Sequence, residues 1–189
     1  MAVSRSGSDP LFPDEPYFAE SGLDETPHLR PAEAADLGTV FAMRNLLEIV
    51  RWTESGREVT MDEHRAWFAS RLAREETRLF LIEVEGTPAG VLDLACRNGE
   101  AVISIYLLSP LRGHGHGRRL IREACMIARE CWGPVTMVAR ILSDNHASLH
   151  AFSAAGFVET GTDGRTIIMR QAANSADKAK ANAKARALR

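Results

Sequence analysis

The feature that most constrains this chain is a loop spaced by glycines, which joins an apolar strand to an amphipathic helix within residues 105–120. Gly113, Gly115 and Gly117 have no side chains to hold a ligand away from the backbone, and they permit the positive φ angles of an anion-binding loop. The first N–H groups of the following helix have no partner within that helix, and the helix dipole adds to their attraction for anions. Three arginines in the same segment add positive charge. The segment therefore predicts a cradle for a diphosphate.

Two other interpretations of this loop explain less of the sequence. A dinucleotide-binding fingerprint needs the spacing G-x-G-x-x-G and an acidic residue at the end of the next strand. Here the spacing is G-x-G-x-G, and the next predicted strand, 135–141, has no acidic residue before Asp144. His114 and His116 have no cysteine or acidic cluster beside them to complete a metal site. We expect no metal, and two solvated histidines close to a bound phosphate.

A second motif follows the cradle by one helix and one strand, and begins at Asn145. At 100° per residue, Asn145, Ser148 and Phe152 lie on one face of a helix. Asn145 is placed to cap the start of this helix and to contact a ligand. Gly156 is placed to end the helix in the left-handed conformation, before Phe157 enters a strand.

Together the two motifs resemble those of the GNAT superfamily of acyl-coenzyme A dependent N-acetyltransferases. Arg112-x-x-Gly115-x-Gly117 is similar to the signature R/Q-x-x-G-x-G/A, and the segment from Asn145 is similar to N-x-x-A/S followed by an aromatic residue and G-F. The resemblance spans roughly residues 28–170. It implies acetyl-CoA as the acyl donor. The residues that it implies as contacts for this donor are Leu107, Leu108, Arg112, Gly113, His114, Gly115, His116, Gly117, Arg118, Asn145 and Phe152.

Phe152 departs from the family pattern. Many GNAT enzymes have a tyrosine here, which protonates the thiolate of coenzyme A as it leaves. Phenylalanine has no proton to give, so we expect another hydroxyl, from Ser148 or Tyr106, or a water to take this role. A thiol loses its proton near pH 8.5, so its departure as a thiolate needs little help. The alternative is a protein that binds acyl-CoA without turning it over.

Hydrophobic periodicity predicts the order β-α-α-β-β-β-α-β-α-β-β. Asn98-Gly99 and Asp163-Gly164 are strong hairpin signals. By resemblance to GNAT proteins this order implies a mixed α/β fold, with a mostly antiparallel sheet flanked by helices. The predicted elements are strand 28–30, helices 31–45 and 61–74, strands 79–85, 89–96 and 101–108, helix 118–131, strand 135–141, the second-motif helix and the hairpin 157–170.

The two ends of the chain differ in charge from the segment between them. We expect a flexible acidic lead over residues 1–26, one acetyltransferase domain over 27–171, and a basic, alanine-rich tail over 172–189. The tail has no aromatic residue for base stacking, and the formal net charge of the whole chain is −2. We therefore expect no nucleic-acid partner.

Hydropathy and cysteine usage suggest the compartment. No apolar run is long enough to span a bilayer, and the first residues lack the apolar centre of a signal peptide, so we expect a cytoplasmic protein without a membrane partner. Cys96, Cys125 and Cys131 are odd in number and lack metal-ligand spacing, which favours reduced thiols. A homodimer is compatible with the sequence.

The GNAT resemblance also implies how the acyl group is held. In GNAT proteins the fourth and fifth strands of the sheet splay apart. By resemblance, the backbone N–H groups of Leu107 and Leu108 would bind the pantetheine arm and stabilise the oxyanion. Amine attack further requires a base. Asp93 lies in the apolar segment 91–94, where burial would raise its pKa; a water-facing aspartate is the alternative. The predicted catalytic residues are Asp93, Tyr106 and Ser148.

The acceptor site is predicted from a weaker pattern. Arg44, Arg51, His64 and Trp67 lie in a series that resembles GNAT members which acetylate nucleotide-linked amino sugars, as in pseudaminic acid synthesis. Aromatic rings stack on bases or sugars, and arginines bind phosphate or carboxylate oxygens. Core packing of Trp67 and solvation of the arginines are the alternative. We expect a small-molecule amine as acceptor, with protein N-termini, aminoglycosides and polyamines as rival acceptors.

Overall fold

The structure is a computed structural model that describes residues 26–173 of the 189, without the side chain of Pro110. The predicted lead and tail fall almost wholly outside the described residues. Within the described residues, seven strands and five α-helices follow one another in the predicted order, with one α-helix, Leu47–Val50, more than predicted. They are β1 His28–Pro31, α1 Leu37–Arg44, α2 Leu47–Val50, α3 Met61–Ala73, β2 Thr77–Val84, β3 Thr87–Arg97, β4 Glu100–Leu107, α4 His116–Trp132, β5 Thr136–Leu142, α5 His146–Ala154, β6 Val158–Asp163 and β7 Thr166–Gln171.

All seven strands form one sheet in the order β1-β2-β3-β4-β5-β7-β6. Every neighbouring pair is antiparallel except β4 and β5, which run parallel and are connected through α4. The predicted mixed, mostly antiparallel sheet with flanking helices is therefore confirmed. The chain leaves the hairpin pattern at this parallel pair, and again between β5 and β6, where it passes through α5 and skips the position of β7.

Two hydrophobic clusters cover the two faces of this sheet. Alternate residues of a strand point to opposite faces, so Phe80 and Leu92 join the first cluster while Leu81 and Val91 join the second. The first cluster contains the buried side of α4 and α5. The second contains buried residues of α1, α2 and α3. We call these two surfaces the α4/α5 face and the α1/α3 face.

Local sequence signals account for some of the helix ends. Thr60 and Glu63 form a reciprocal capping box at the start of α3, which removes two unpaired N–H groups. The prediction of one helix over 31–45 is wrong in part, because a 3₁₀ turn at Ala34–Asp36 precedes α1. The turn α2 lies in a segment predicted as loop.

Within residues 26–173, no helix has the length and apolarity that a membrane crossing requires.

Candidate functional site

A cleft opens in the sheet between β4 and β5. These strands pair only over the three positions from Glu100↔Thr136 to Val102↔Val138. Beyond Val102, β4 continues to Leu107 and β5 to Leu142 without further pairing between them. Backbone groups on this side of β4 therefore lack a neighbouring strand, and the predicted separation of the fourth and fifth strands is present.

The two residues predicted to supply backbone N–H groups at this cleft face opposite ways. Leu108 N–H donates to the Ala89 carbonyl of the adjacent chain at 2.8 Å, so the prediction of a free amide at Leu108 is wrong. Groups on successive residues of a strand alternate in direction, so the backbone of Leu107 points away from β3 and toward the cleft. Its carbonyl accepts a hydrogen bond from Arg112 Nε at 2.8 Å. Of these two residues, Leu107 presents its N–H at the cleft.

The glycine loop meets the cleft at the start of α4. Gly115 precedes the helix with φ +80°, and Gly113 has φ +85°, a conformation that other residues rarely adopt. No side chain caps the first turn, and the first α-helical bond runs from Arg119 N–H to the Gly115 carbonyl. A β-carbon built on either glycine would meet no atom within 4 Å. The unpaired N–H groups thus border open space, as an anion site requires.

The arginines of the cradle have different roles. Arg112 Nη1 pairs with Glu48 Oε2 on α2 at 3.1 Å, in addition to its bond to Leu107. The guanidinium therefore fastens the loop to β4 and α2, and its contact with the donor stays a prediction. Arg119 donates to the Pro27 carbonyl and pairs with Glu123. Arg118 is exposed, and no hydrogen bond from its guanidinium to residues 26–173 is present.

The two histidines of the loop lie close together, with ring centroids 6.1 Å apart. His114 is exposed and His116 is half-buried. Burial lowers the pKa of His116, and the charges of Arg119 and His114 lower it further, so this ring is neutral at pH 7. In the part of the chain that the structure describes, no three histidine, cysteine or acidic side chains are grouped to bind a metal ion.

The second motif forms α5 beside the cradle. Asn145 Oδ1 accepts the Ser148 N–H at 3.2 Å, which confirms its role as helix cap, and Gly156 follows the helix with φ +96°. Phe152 is 3% exposed and packs edge-on against Phe157, with ring centroids 5.0 Å apart. Phe152 is therefore part of the hydrophobic core of the α4/α5 face. Ser148 is half-buried on the same helix.

The predicted base lies on the opposite face of the sheet. Asp93 forms an ion pair with Arg71 of α3, with Nε to Oδ1 at 3.1 Å, and its side chain is 14% exposed. Burial raises the pKa of Asp93 to about 6, although the positive charge of Arg71 opposes this rise. The alternative of a water-facing aspartate is wrong. Its neighbour across the ladder is Ser104 of β4, which is exposed.

Three predicted residues meet on this α1/α3 face. The Tyr106 hydroxyl, Arg44 Nη1 and His64 Nε2 are all buried without a hydrogen-bond partner among the described residues. Burial raises the pKa of Tyr106 well above its usual value, with Arg44 opposing, so the phenol stays protonated. Burial lowers the pKa of His64, which is 3% exposed. Trp67 joins this group, with its ring 5.3 Å from that of His64.

Other predicted residues lie apart from that group. Arg51 is exposed, with its guanidinium carbon 4.9 Å above the Trp52 ring. Ser148 belongs to a helix on the α4/α5 face, so the three predicted catalytic residues are not all adjacent. Sequence reasoning missed Glu48 and Glu54; Glu54 pairs with Arg140 of β5 at 2.8 Å. No local signal marks such ion pairs, because their partners are distant along the chain.

We expect the loss of Arg112 to reduce stability and the loss of Arg118 to weaken anion binding. Arg112→Leu removes a charged hydrogen bond and should lower the free energy of unfolding by about 1–2 kcal/mol, or Tm by roughly 3–6 °C. The ion pair with Glu48, at 35% exposure for Arg112, adds little to this. Arg118→Leu should leave Tm unchanged while weakening anion binding about fivefold. Thermal unfolding and calorimetry measure both, and equal loss of Tm in the two variants would contradict these roles.

Comparisons with known proteins agree with this arrangement. The sequence profile of the family described as "Acetyltransferase (GNAT) domain" matches residues 28–158. The chain is 33% identical over 141 residues to "Putative phosphinothricin acetyltransferase YwnH" of Bacillus subtilis, which covers 70% of this chain and 85% of that protein. It is 31% identical over 137 residues to "L-amino acid N-acyltransferase MnaT" of Escherichia coli, covering 69% and 77%.

A solved structure shares the fold. It is that of yncA from Salmonella typhimurium with its cofactor acetyl-CoA, which matches with a TM-score of 0.66 and 23% identity. The match covers 79% of this chain and 95% of the other.

Proposed function

The chain belongs to the GNAT acetyltransferase family, and from that premise we propose that it transfers an acetyl group from acetyl-CoA to the primary amine of a small molecule. The observation that carries the proposal is the junction of the β4/β5 cleft with the uncapped start of α4. An anion site and an unpaired strand edge meet there. Acetyl-CoA supplies an activated thioester, and it has both a diphosphate and an extended amide arm to match these two features.

The backbone of this chain holds the donor in the proposed site. The N–H groups at the start of α4, with the exposed Arg118, bind the diphosphate. Leu107 N–H donates to the thioester oxygen, where negative charge grows as an amine attacks. The bond from Arg112 to the Leu107 carbonyl holds the next peptide unit, between Leu107 and Leu108, in position. Leu107 therefore contacts the glycine loop through its carbonyl and the reacting bond through its N–H.

Asp93 is the proposed general base. With its pKa raised to about 6, most of this carboxylate is ionised at pH 7 but still basic enough to accept a proton, directly or through water. Tyr106 stays protonated and cannot serve as a base, so its proposed role is that of a proton donor. Ser148, at the start of α5, is the second hydroxyl proposed to assist the departing thiolate.

The acceptor is proposed as a small amine that also carries an anionic group. This class includes amino acids, which are named for the relative MnaT, and the nucleotide-linked amino sugars suggested by the sequence pattern. Aminoglycosides and polyamines are cationic, and Arg44 on the acceptor side would repel them. A protein N-terminus stays a rival acceptor. The core position of Phe152 also leaves a second class of function, a non-catalytic acyl-CoA sensor.

Release of free thiol from acetyl-CoA tests the proposal. The acceptor panel contains the common L-amino acids, a nucleotide-linked amino sugar, an aminoglycoside, a polyamine and a short peptide. We expect thiol release with an anionic small amine, and binding of CoA by calorimetry. Tight binding without thiol release from any acceptor would instead support the sensor.

Phe152→Tyr tests where the departing sulfur lies. We expect this variant to preserve or raise thiol release, because it restores the hydroxyl that many GNAT enzymes have at this position. The matched control is Phe157→Tyr, since Phe157 is 2% exposed in the same core. There we expect about 1–3 kcal/mol of lost stability from an unpaired hydroxyl, with unchanged turnover per folded molecule. A Phe152→Tyr variant with the same loss of stability and no CoA binding would place the sulfur elsewhere.

A further inference from the structure

Arg44 is a half-buried cation without a counter-charge. Its Nη1 atom is buried and has no hydrogen-bond partner, and no carboxylate within residues 26–173 forms an ion pair with it. Three other partly buried arginines each pair with an acid. These are Arg30 with Asp36 and Glu83, Arg71 with Asp93, and Arg112 with Glu48.

The surroundings of Arg44 make this arrangement costly. Burial lowers the pKa of Arg44, and the nearby positive charge of Arg57 lowers it further. Two polar groups that interact with it are the Tyr106 phenol and the neutral imidazole of His64, neither of which supplies a negative charge. A desolvated cation is stabilised when an anion binds it, and charge-assisted hydrogen bonds are among the strongest in proteins. Binding of an anion here would therefore recover a cost already present in the fold.

Arg44 lies beside a residue of β4 that is next to the cleft. Its electrostatic neighbour Tyr106 lies on β4 directly before Leu107, whose backbone faces the opening between β4 and β5. Arg44 is only half-buried, so its guanidinium retains an edge toward solvent although Nη1 is covered. An anion on that edge would lie on the α1/α3 face, across the sheet from the α4/α5 core that contains Phe152.

We propose that Arg44 binds the carboxylate of the acceptor and so orients its amine toward the thioester. This inference rests on the proposed acetyl transfer and names the acceptor as an amino acid or a close analogue. A single guanidinium edge offers two parallel N–H groups, which match the two oxygens of a carboxylate. The diphosphate of a nucleotide-linked sugar carries more charge than this one cation neutralises. Arg44 thereby selects acceptors that carry a carboxylate next to the amine.

Kinetics with three forms of one acceptor test this role. The acceptors are the best amino acid from the common L-amino acids, its carboxamide, and the amine that remains after decarboxylation. The parent should prefer the carboxylate form. Arg44→Met should raise KM for that form by roughly 10- to 100-fold, which corresponds to about 1.4–2.8 kcal/mol, and change kcat/KM for the carboxamide less than about threefold. Arg44→Lys should restore part of the preference, since it keeps the charge but loses the paired N–H groups.

The matched control is Arg65→Met. Arg65 is an exposed arginine on α3 that pairs with Asp62, and its loss should leave all three acceptors unaffected. Equal loss of activity with all three acceptors in Arg44→Met, or a parent without preference for the carboxylate, would overturn the inference while leaving acetyl transfer intact.

A parent that releases no thiol with any amine would instead refute the proposed function. The carboxylate site is then measured by titrating the same amino acids into the parent and Arg44→Met in the presence of CoA. Binding that disappears only in the variant supports the site. Binding that is equal in both proteins, or absent from the parent, overturns it.

Discussion

Gly115→Val should weaken binding of acetyl-CoA by about 100-fold or more, which corresponds to roughly 2.8 kcal/mol. Gly115 precedes α4 at φ +80°, where a β-branched residue costs on the order of 1–3 kcal/mol. The added side chain would also occupy the open space beside the unpaired N–H groups at the start of the helix. Both effects act on the anion site, and calorimetric titration with CoA measures their sum.

A second glycine separates backbone strain from blocked binding. Gly99 has φ +78° in the turn between β3 and β4, and a β-carbon there also meets nothing within 4 Å. Gly99→Val should therefore lose a similar amount of stability, measured as Tm, and keep the parent affinity for CoA. If Gly115→Val binds CoA as tightly as Gly99→Val does, the diphosphate does not bind at the start of α4.

Asp93→Asn should lower kcat by roughly 10²- to 10⁴-fold, the usual contribution of a general base. In the parent, kcat/KM should rise with pH through an apparent pKa near 6, because Asp93 has its pKa raised to about 6 and only its ionised form accepts a proton. The asparagine variant should lack this acidic limb. A pH–rate profile on the best acceptor measures both effects.

Glu83→Gln is the control for the loss of a buried carboxylate. Glu83 is 6% exposed on β2 and pairs with Arg30 at 2.9 Å, so its replacement removes one of the two acids that pair with this arginine. This variant should lose stability but retain the acidic limb near pH 6. An Asp93→Asn enzyme that keeps the limb and loses only stability would show that Asp93 holds Arg71 in place and is not the base.

Stability as a function of pH gives a second measure of Asp93. A carboxyl whose folded pKa is raised from the usual 3.8 to about 6 binds its proton more tightly in the folded state. The free energy of unfolding should therefore fall as pH rises between about 4 and 6, and the penalty should persist above pH 6. Asp93→Asn should remove this contribution to the slope.

Local patterns in the sequence predicted the strands, some of the helix ends and the glycine cradle, because each depends on residues close together in the chain. Gly115 and Asn145 are examples, since their conformations follow from the residue and its immediate neighbours. The short helix α2 was not predicted. Its four residues carry too little periodicity to separate a helical turn from a loop.

Long-range contacts could not be predicted in the same way. The pairing of Arg112 with Glu48 joins distant parts of the chain, and nothing near either residue indicates the other. The register of β4 against β3 decides that Leu107, and not Leu108, presents its N–H to the cleft. An error of one residue in the predicted register turns the opposite set of backbone N–H groups toward the cleft.

The sheet separates two tasks that could otherwise interfere with each other. Residues proposed to hold the donor diphosphate belong to α4 and its loop, whereas Arg44, Asp93 and Tyr106 lie on the other face with a hydrophobic cluster of their own. Substitutions in the α1/α3 cluster can therefore remodel the choice of amine without repacking the donor side. Related proteins with this division can therefore differ in the amine that they acetylate while they keep the same donor site.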